Sequence, residues 1–345
     1  MHSEPFAYRL KQAVKILLRG EPQRVTPIPH ITKEEAEEAH SFFPMNKFFL
    51  TGHSRSGTTL LARLIRLHPD VHCDWQGHFF SRPPLLRSLV DDPALETWLT
   101  HRSFHWNRGV DPSAVLVRAC SDYLLEREAR RNGKSIVGDK SPNTYLGGEC
   151  IDNIHQIYPD AYIIHIVRDG RDALLSHQTR RYIEKHTQLS PDEKMIQQQL
   201  KNQPNDYFQN GGSLFPASMF TKRTQSWVNN INETEDIGLS LYQERYLRVH
   251  YEALLEDPFS ILCQIWSFLK APIDERGLEE IVATELNKNP DASWQKQNNP
   301  DIARLFTKGE SGGWQKFFTP SDRLHFKQIA GATLIRFGYE KDTEW

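Results

Sequence analysis

The chain has 345 residues, a formal net charge of −2 and a mean hydropathy of −0.60. The near-neutral charge offers no global basic field of the kind that nucleic-acid binding uses, and no apolar run is long enough to cross a bilayer. The four cysteines lie far apart without metal-ligand spacing. We therefore expect a cytoplasmic protein with reduced thiols, no metal site and no nucleic-acid partner.

The segment 1–46 is predicted to be a helical extension followed by a linker. Residues 5–19 have the pattern of a basic amphipathic helix, and three prolines lie between Glu21 and Thr32. This helix either packs on the domain or lies on a membrane surface, and its short apolar face without tryptophan favours packing. Residues 47–345 are predicted to form a single domain.

The stretch from Lys47 to Leu61, KFFLTGHSRSGTTLL, predicts a buried strand, a glycine-bounded loop and a helix in succession. This arrangement aims backbone N–H groups and a helix N-terminus at one point, where they bind an anion such as phosphate. Gly52 and Gly57 have the spacing of a Walker A loop, but Thr58 takes the place of its lysine. The loop is therefore suited to holding a phosphate rather than to moving a γ-phosphoryl group, and Arg55 adds a bidentate donor. The alternative is a strand–turn–helix with ordinary capping residues.

After this loop, predicted strands alternate with predicted helices. The further strands are predicted over 71–73, 135–138, 161–167 and 247–250, and the clearest helices over 112–131, 148–158, 215–231, 258–269 and 320–337. This alternation predicts an α/β fold, a three-layer P-loop-like arrangement with a central parallel sheet flanked by helices. Ligands collect at the carboxyl ends of such strands, where the loop at Gly52 and the turns at Lys140 and Arg168 would meet. The polar segment 186–212 is predicted to be an insertion or a lid.

A second anion site is predicted after the strand that ends at Val167. Arg168 follows it directly, where a nucleoside triphosphatase needs an aspartate to hold Mg²⁺. Arginine at this point repels a metal and attracts a second phosphate. Ser176 lies about two helical turns further on and Arg180 one turn beyond it. Two separate anion sites indicate a nucleotide that is phosphorylated at two positions.

These motifs, in this order, resemble those of the sulfotransferases that use 3′-phosphoadenosine 5′-phosphosulfate (PAPS). HSRSGTTL at 53–60 is similar to their 5′-phosphosulfate loop, especially to the PRSGTTL form of protein-tyrosine sulfotransferases. VRDGRDA at 167–173, with Ser176, is similar to their 3′-phosphate segment. FTKGESGGW at 306–314 is similar to the loop that covers the 3′-phosphate in the cytosolic branch, and YEAL at 251–254 matches a further common segment.

The resemblance extends from Phe48 to Tyr339 and implies PAPS as the cofactor, with adenosine 3′,5′-bisphosphate (PAP) as the product. It also implies metal-free, in-line transfer of a sulfuryl group to a hydroxyl acceptor. The acceptor class stays open among carbohydrate, phenol, peptide tyrosine and lipid headgroup. The cofactor-binding residues that we assign on this basis are Arg55, Ser56, Gly57, Thr58, Thr59, Arg168, Ser176, Arg180, Tyr251, Lys308 and Gly309.

Lys140, in GDKSP at 138–142, resembles the lysine of a Glu-Lys-Ser-Pro turn at the active site of the glycan-modifying branch. We assign it to the bridging oxygen or to the transferring sulfuryl group. The alternative is a surface lysine on a turn at a strand end.

The general base is predicted from the segment 73–80, CDWQGHFF, which resembles the glutamate-bearing segment of the family. Gln76 stands where the glutamate should be, and glutamine is no useful proton acceptor at neutral pH. His78 is our first candidate for the base and Asp74 the second. The alternative for His78 is a structural histidine. The aromatic residues of the segment are predicted to fill the core rather than an acceptor pocket: Trp75, Phe79 and Phe80.

Two other functions stay open at this stage. A P-loop kinase or NTPase is disfavoured by Thr58 in place of lysine and by Arg168 in place of a Mg²⁺-holding aspartate. A catalytically inactive nucleotide-binding protein is the other, and it is motivated by Gln76.

Overall fold

The computed structural model describes residues 14, 24, 26–101, 106–107, 110–272, 277–288, 292–306 and 309–345. Of the amphipathic helix predicted over 5–19, only Val14 lies among them, and it is helical and exposed. Lys308 lies outside the described residues. The division of the chain at residue 46 stays a prediction.

A central sheet of five parallel strands confirms the predicted α/β fold. The strands are β1 (Asn46–Thr51), β2 (Val71–Trp75), β3 (Ile136–Lys140), β4 (Tyr162–Val167) and β5 (Tyr246–His250). Their order is β2-β3-β1-β4-β5, and every neighbouring pair is parallel. The central strands are continuous apolar runs because helices cover both of their faces. All five carboxyl ends therefore lie along one edge of the sheet.

Besides the helical residue Val14, the described residues form sixteen helices and two 3₁₀ turns, at Leu86–Val90 and Gln243–Arg245. The helices are α1 (Lys33–Phe42), α2 (Thr58–Ile65), α3 (Pro93–Thr100), α4 (Ser113–Arg131), α5 (Gly148–Ile157), α6 (Gly170–Ile183), α7 (Pro191–Asn202), α8 (Pro204–Gln209), α9 (Ala217–Tyr242), α10 (Tyr251–Glu256), α11 (Pro258–Phe268), α12 (Leu278–Leu286), α13 (Ala292–Gln297), α14 (Pro300–Ala303), α15 (Trp314–Phe317) and α16 (Pro320–Arg336). None of these helices has the length and apolar character that crossing a membrane demands.

The helices pack on both faces of the sheet and complete three layers. On one face, Leu61 of α2 and Trp266 of α11 are fully buried against the strands. On the other face, Leu125 of α4 and Ile154 of α5 do the same. A third buried cluster, around Trp227 of α9, joins that helix to α6 and α16. These contacts fix α2 and α6, the two helices that begin at the carboxyl edge of the sheet.

The segment 186–212, predicted to be an insertion or a lid, forms α7 and α8 and packs beside α6. Ile196 and Leu200 of α7 are buried. Glu193, also buried, accepts two hydrogen bonds of 2.8 Å from Arg181 of α6. Apolar contacts and an ion pair thus hold this helical hairpin on the helix that follows β4.

Candidate active site

The loop between β1 and α2 has the form of an anion site. Gly57 has φ of +94°, and a Cβ at this position would lie 2.3 Å from the ring of Tyr251, so only glycine fits. No side chain caps α2, which leaves the N–H groups of its first turn, including those of Thr58 and Thr59, available to a ligand. The hydroxyl of Ser56 is buried without a hydrogen-bond partner. A bound phosphate oxygen would satisfy this hydroxyl, whose isolation costs about 1–3 kcal/mol.

Arg55 joins this loop to the second predicted anion site. Its φ of +71° is left-handed, and its Nε donates to the hydroxyl of Ser176 on α6 at 3.2 Å. Arg168 donates to the backbone oxygen of Arg55 at 3.1 Å. Burial, helped by the charges of Arg180 and Arg168, lowers the pKa of Arg55 to about 10. Among the described residues, no carboxylate lies within 4.0 Å of the guanidinium groups of Arg55, Arg168 and Arg180.

Arg168 is held in place yet keeps a free donor. Only 6% of it is exposed, and its guanidinium carbon lies 4.4 Å from the ring centroid of Tyr251. It also donates to the backbone oxygen of Glu310 at 2.8 Å, while its Nε has no partner. The hydroxyl of Tyr251 donates to the backbone oxygen of Gly309 at 3.0 Å. These contacts bring the predicted residues Arg168, Tyr251 and Gly309 together.

The segment that follows Gly309 is tied to the start of α6. Asp172 accepts hydrogen bonds from the N–H groups of Gly312, at 2.7 Å, and Trp314, at 2.9 Å. The position of this segment over Arg168 therefore depends on an acid of the RDGRDA motif.

Lys140 is the last residue of β3 and has no exposed surface. Its Nζ donates to the hydroxyl of Thr59 at 3.3 Å and lies 5.0 Å from the ring centroid of Trp75. Burial lowers the pKa of this amine. The alternative of a surface lysine is wrong, because the parallel register places Lys140 between β1 and β2, against the phosphate loop.

The prediction that Trp75 fills the core is wrong. This side chain is 46% exposed, because β2 is an edge strand and Trp75 is its last residue. Phe80 is buried, as predicted, and Phe79 is half-buried. An exposed indole next to Lys140 is a feature of the ligand edge rather than of the core.

The candidates for the general base lie on the turn that follows β2. The side chain of Gln76 is exposed, whereas His78 is half-buried, with Nδ1 at 2.5 Å from the hydroxyl of Ser81. Burial, helped by the charges of Arg82 and Lys140, lowers the pKa of His78 to about 4, so its imidazole is neutral at neutral pH. The second candidate base, Asp74, has its carboxylate 2.9 Å from His72 Nε2.

Asp139 holds the turn that follows β2. Nothing in the sequence predicts this role, apart from the position of Asp139 just before Lys140 on a buried strand. Its carboxylate accepts from the N–H of Gly77 at 2.9 Å and from the hydroxyl of Ser141. That hydroxyl in turn accepts from the N–H of His78 at 2.8 Å. A buried acid therefore positions the candidate base through the backbone.

The ionisation of Asp139 should set a pH dependence of stability. Burial raises its pKa to about 6, so protonation favours the folded state and stability falls as the pH rises from about 4 through 6. Asp139→Asn removes this charge and keeps an acceptor for Gly77. We expect it to raise the melting temperature by at least about 2 °C more at pH 8 than at pH 4.5. Equal shifts at both pH values, or the same pattern in the exposed control Asp301→Asn, would contradict this account.

Two further histidines lie close to the site, His53 buried and His177 half-buried, and nothing in their sequence spacing marks them. Burial lowers the pKa of His53, on the phosphate loop, to about 4. Burial, with help from the charges of Arg223, His53, Arg181 and Arg55, lowers the pKa of His177 to about 3. Both rings are therefore neutral at neutral pH in surroundings rich in arginine. The described residues contain no cluster of three or more His, Cys, Asp or Glu side chains that could hold a metal ion.

Comparison with known proteins gives a family match and several distant relatives. Residues 47–275 match the model described as the sulfotransferase family. Protein-tyrosine sulfotransferase A of Caenorhabditis elegans is 24% identical over 246 residues, which cover 69% of this chain and 54% of that protein. The protein-tyrosine sulfotransferase of Drosophila melanogaster is 23% identical over 66% of this chain and 38% of its own length. The chain thus spans about half or less of these curated relatives.

Among solved structures, mouse sulfotransferase SULT7A1 complexed with PAP is 17% identical, with a TM-score of 0.47. The match covers 88% of this chain and 89% of that one.

Proposed function

The chain belongs to the sulfotransferase family, and we propose that it transfers a sulfuryl group from PAPS to a hydroxyl acceptor without a metal. The observation that carries this proposal is the hydrogen bond from Arg55 to Ser176, which brings the two predicted anion sites together. Among the described residues, no carboxylate lies within 4.0 Å of the guanidinium group of Arg55 or Arg168. Neighbouring guanidinium groups that make no ion pair are suited to a ligand that carries anionic groups at both ends.

The residues present fit PAPS. Arg55, the hydroxyl of Ser56 and the first-turn N–H groups of α2 would hold the 5′-phosphate. Arg168, Ser176 and the segment at Gly309 would hold the 3′-phosphate, with Lys308 assigned there by resemblance alone. When bound, PAPS supplies the sulfuryl group and leaves as PAP.

Lys140 and His78 have complementary roles in this proposal. The acceptor oxygen forms a bond to sulfur while the bond from sulfur to the phosphate oxygen breaks, and the hydroxyl proton passes to His78 Nε2. Lys140, buried beside Thr59, stabilises the negative charge that develops on the leaving phosphate oxygen. Gln76 has no part in proton transfer, because an amide does not accept a proton at neutral pH.

The acceptor is proposed only as a hydroxyl compound. The relatives named protein-tyrosine sulfotransferases support a phenolic hydroxyl, and the exposed ring of Trp75 offers a flat surface to a phenol or to a sugar. A cytoplasmic location, and the absence of nucleic-acid and membrane partners, remain part of the proposal.

Binding of PAP compared with AMP tests the proposed function directly. We expect calorimetry to show at least about tenfold tighter binding of PAP, because one charge-assisted contact contributes about 1.5–3 kcal/mol. Arg168→Gln should remove most of this preference while leaving the affinity for AMP unchanged. A chelator should have no effect on sulfuryl transfer.

The nucleotide AMP serves as the internal control, since it lacks only the 3′-phosphate. If wild-type protein binds PAP no better than AMP, the proposed function fails. If Arg168→Gln weakens both nucleotides equally, Arg168 does not recognise the 3′-phosphate.

A further inference from the structure

A small polar cavity lies behind the candidate base, between β1, β3 and the turn that follows β2. Four buried polar side chains contribute to its lining, each at most 6% exposed: Thr51, Ser81, Asp139 and Ser141. The volume of the cavity, about 10 Å³, is close to the least that holds one water molecule. Size and lining together therefore suit a single buried water.

The hydroxyl of Thr51 is a further reason to expect a water in this cavity. Thr51 is 2% exposed, and its Oγ1 has no hydrogen-bond partner among the described residues. Leaving a buried hydroxyl unpaired is unfavourable, and buried waters in proteins commonly satisfy such groups. A water in the cavity would give Thr51 the partner that the protein itself does not supply.

Ser81 joins the cavity to the candidate base. Nδ1 of His78 lies 2.5 Å from Oγ of Ser81. For Nε2 to take a proton from the acceptor, Nδ1 must carry the hydrogen of the neutral ring, so Nδ1 donates to Ser81 Oγ. The hydroxyl of Ser81 is then left to donate its own hydrogen, and Ser81 is one of the residues that line the cavity.

Asp139 supplies a carboxylate to the lining of the same cavity. It accepts from the N–H of Gly77 at 2.9 Å and from the hydroxyl of Ser141, which leaves lone pairs for a water. Burial raises the pKa of Asp139 to about 6, whereas burial lowers the pKa of His78 to about 4. A proton is therefore bound more favourably by Asp139 than by His78.

The groups around Asp139 leave its own ionisation as the relevant one. The titratable and charged groups that act on it are Lys140 on β3, Cys73 and Asp74 on β2, and Cys150 on α5. Burial raises the pKa of both thiols, so neither ionises between pH 5 and pH 8. The charge next to the cavity near pH 6 thus changes with Asp139.

We propose that Ser81 and a water in this cavity relay the acceptor proton from His78 to Asp139. The acceptor hydroxyl gives its proton to Nε2 of His78, and Nδ1 passes its own to Ser81 Oγ. The serine passes its hydrogen to the water, and the water passes one to the carboxylate. Each intermediate group gains one proton and loses one, so only Asp139 changes its charge. After the product leaves, the reverse steps return the proton of Asp139 to Nδ1, and Nε2 releases its proton to solvent.

This inference rests on the proposed function and deepens it, since it names the final proton acceptor. The first test is the pH profile of kcat, with the full chain, saturating PAPS and N-acetyltyrosinamide as the acceptor. Wild-type kcat should fall about tenfold from pH 7.5 to pH 5, because the relay requires Asp139 to be ionised. Ser81→Ala should lower kcat at pH 7.5 about tenfold and remove this fall, while KM for the acceptor and the affinity for PAP stay within about twofold.

A double variant separates a relay from two independent supports of His78. Asp139→Asn should reproduce the effect of Ser81→Ala, and the double variant should be no slower than either single variant, because each breaks the same path. Ser121 provides the matched control, since it is fully buried and its hydroxyl lies 2.5 Å from that of Tyr158. Ser121→Ala should leave kcat and its pH profile unchanged.

The second test needs no turnover. Crystals of the full chain with PAP should show a water within hydrogen-bond distance of Ser81 Oγ, Thr51 Oγ1 and the carboxylate of Asp139. A crystal without this water contradicts the relay. Wild-type kcat in Ser81→Ala contradicts it as well, and so do losses that multiply in the double variant, which would mean separate structural roles.

Failure of the proposed function is distinguishable from failure of the relay. A wild-type protein that binds PAP no better than AMP contradicts the proposed function. That result does not concern the water, which is observed without turnover.

Discussion

Replacing Lys140 by methionine should lower kcat by about 10²–10³-fold, which is the usual cost of removing one preorganised donor from a developing negative charge. The ammonium is fully buried and touches the hydroxyl of Thr59 on the phosphate loop. Methionine keeps the length and apolar stem of lysine, so packing beneath Trp75 is preserved. Transfer of radiolabelled sulfate from PAPS measures kcat, and calorimetry should show PAP affinity within about threefold of wild type.

Lys134 provides a matched control, since it lies just before the opposite end of β3 and its Nζ donates to the backbone oxygen of His68 at 3.0 Å. Lys134→Met should leave kcat unchanged. If Lys140→Met keeps wild-type turnover, the lysine has no role in the transition state. If it weakens PAP binding as much as it slows turnover, it binds the nucleotide uniformly instead of stabilising the reaction.

Replacing His78 by asparagine should lower kcat by about 10²-fold, the lower end of the range for a general base. The effect is at the low end because the lowered pKa, about 4, makes the imidazole a weak base. The same shift keeps the ring unprotonated down to about pH 5, so titration of His78 itself should not lower wild-type turnover between pH 8 and pH 5. Asparagine is the variant of choice because His78 has φ of +52°, which asparagine tolerates better than alanine.

Asp74→Asn is the partner variant for this experiment, since Asp74 is the second candidate base. It should leave kcat within a few-fold of wild type. If His78→Asn turns over normally while Asp74→Asn is slow, the two assignments are exchanged. If neither variant changes turnover, neither residue is the general base.

The sequence predicted the edge of the sheet on which the site lies, for a simple physical reason. Apolar runs end at Leu50, Gly138 and Val167, and each run is followed closely by residues suited to binding anions. Because neighbouring strands are parallel, their carboxyl ends meet at one edge. The pattern of residues is therefore sufficient to assign the phosphate loop, the buried lysine and Arg168 to one place.

The contacts within the site could not be predicted in the same way. The hydrogen bond from Arg55 to Ser176 depends on the left-handed conformation of Arg55 and on the rotation of α6, neither of which periodicity reveals. The exposure of Trp75 depends on the order of the strands, which places β2 at the edge. Asp139 acts through backbone N–H groups of a turn, and side-chain patterns do not report such contacts. Sequence motifs thus predicted which residues lie at this edge, but not the hydrogen bonds that hold them there.

The contact between Gly57 and Tyr251 determines when, during synthesis of the chain, the phosphate loop can gain its lining. The ring of Tyr251 covers the glycine that closes the phosphate loop, and its hydroxyl bonds to Gly309, so the loop gains its lining only from residues made much later. A nascent chain released before β5 emerges would contain the whole loop motif and still lack the surface that shapes it. The proposed nucleotide site therefore gains its full lining only after β5 and the segment at Gly309 have been made.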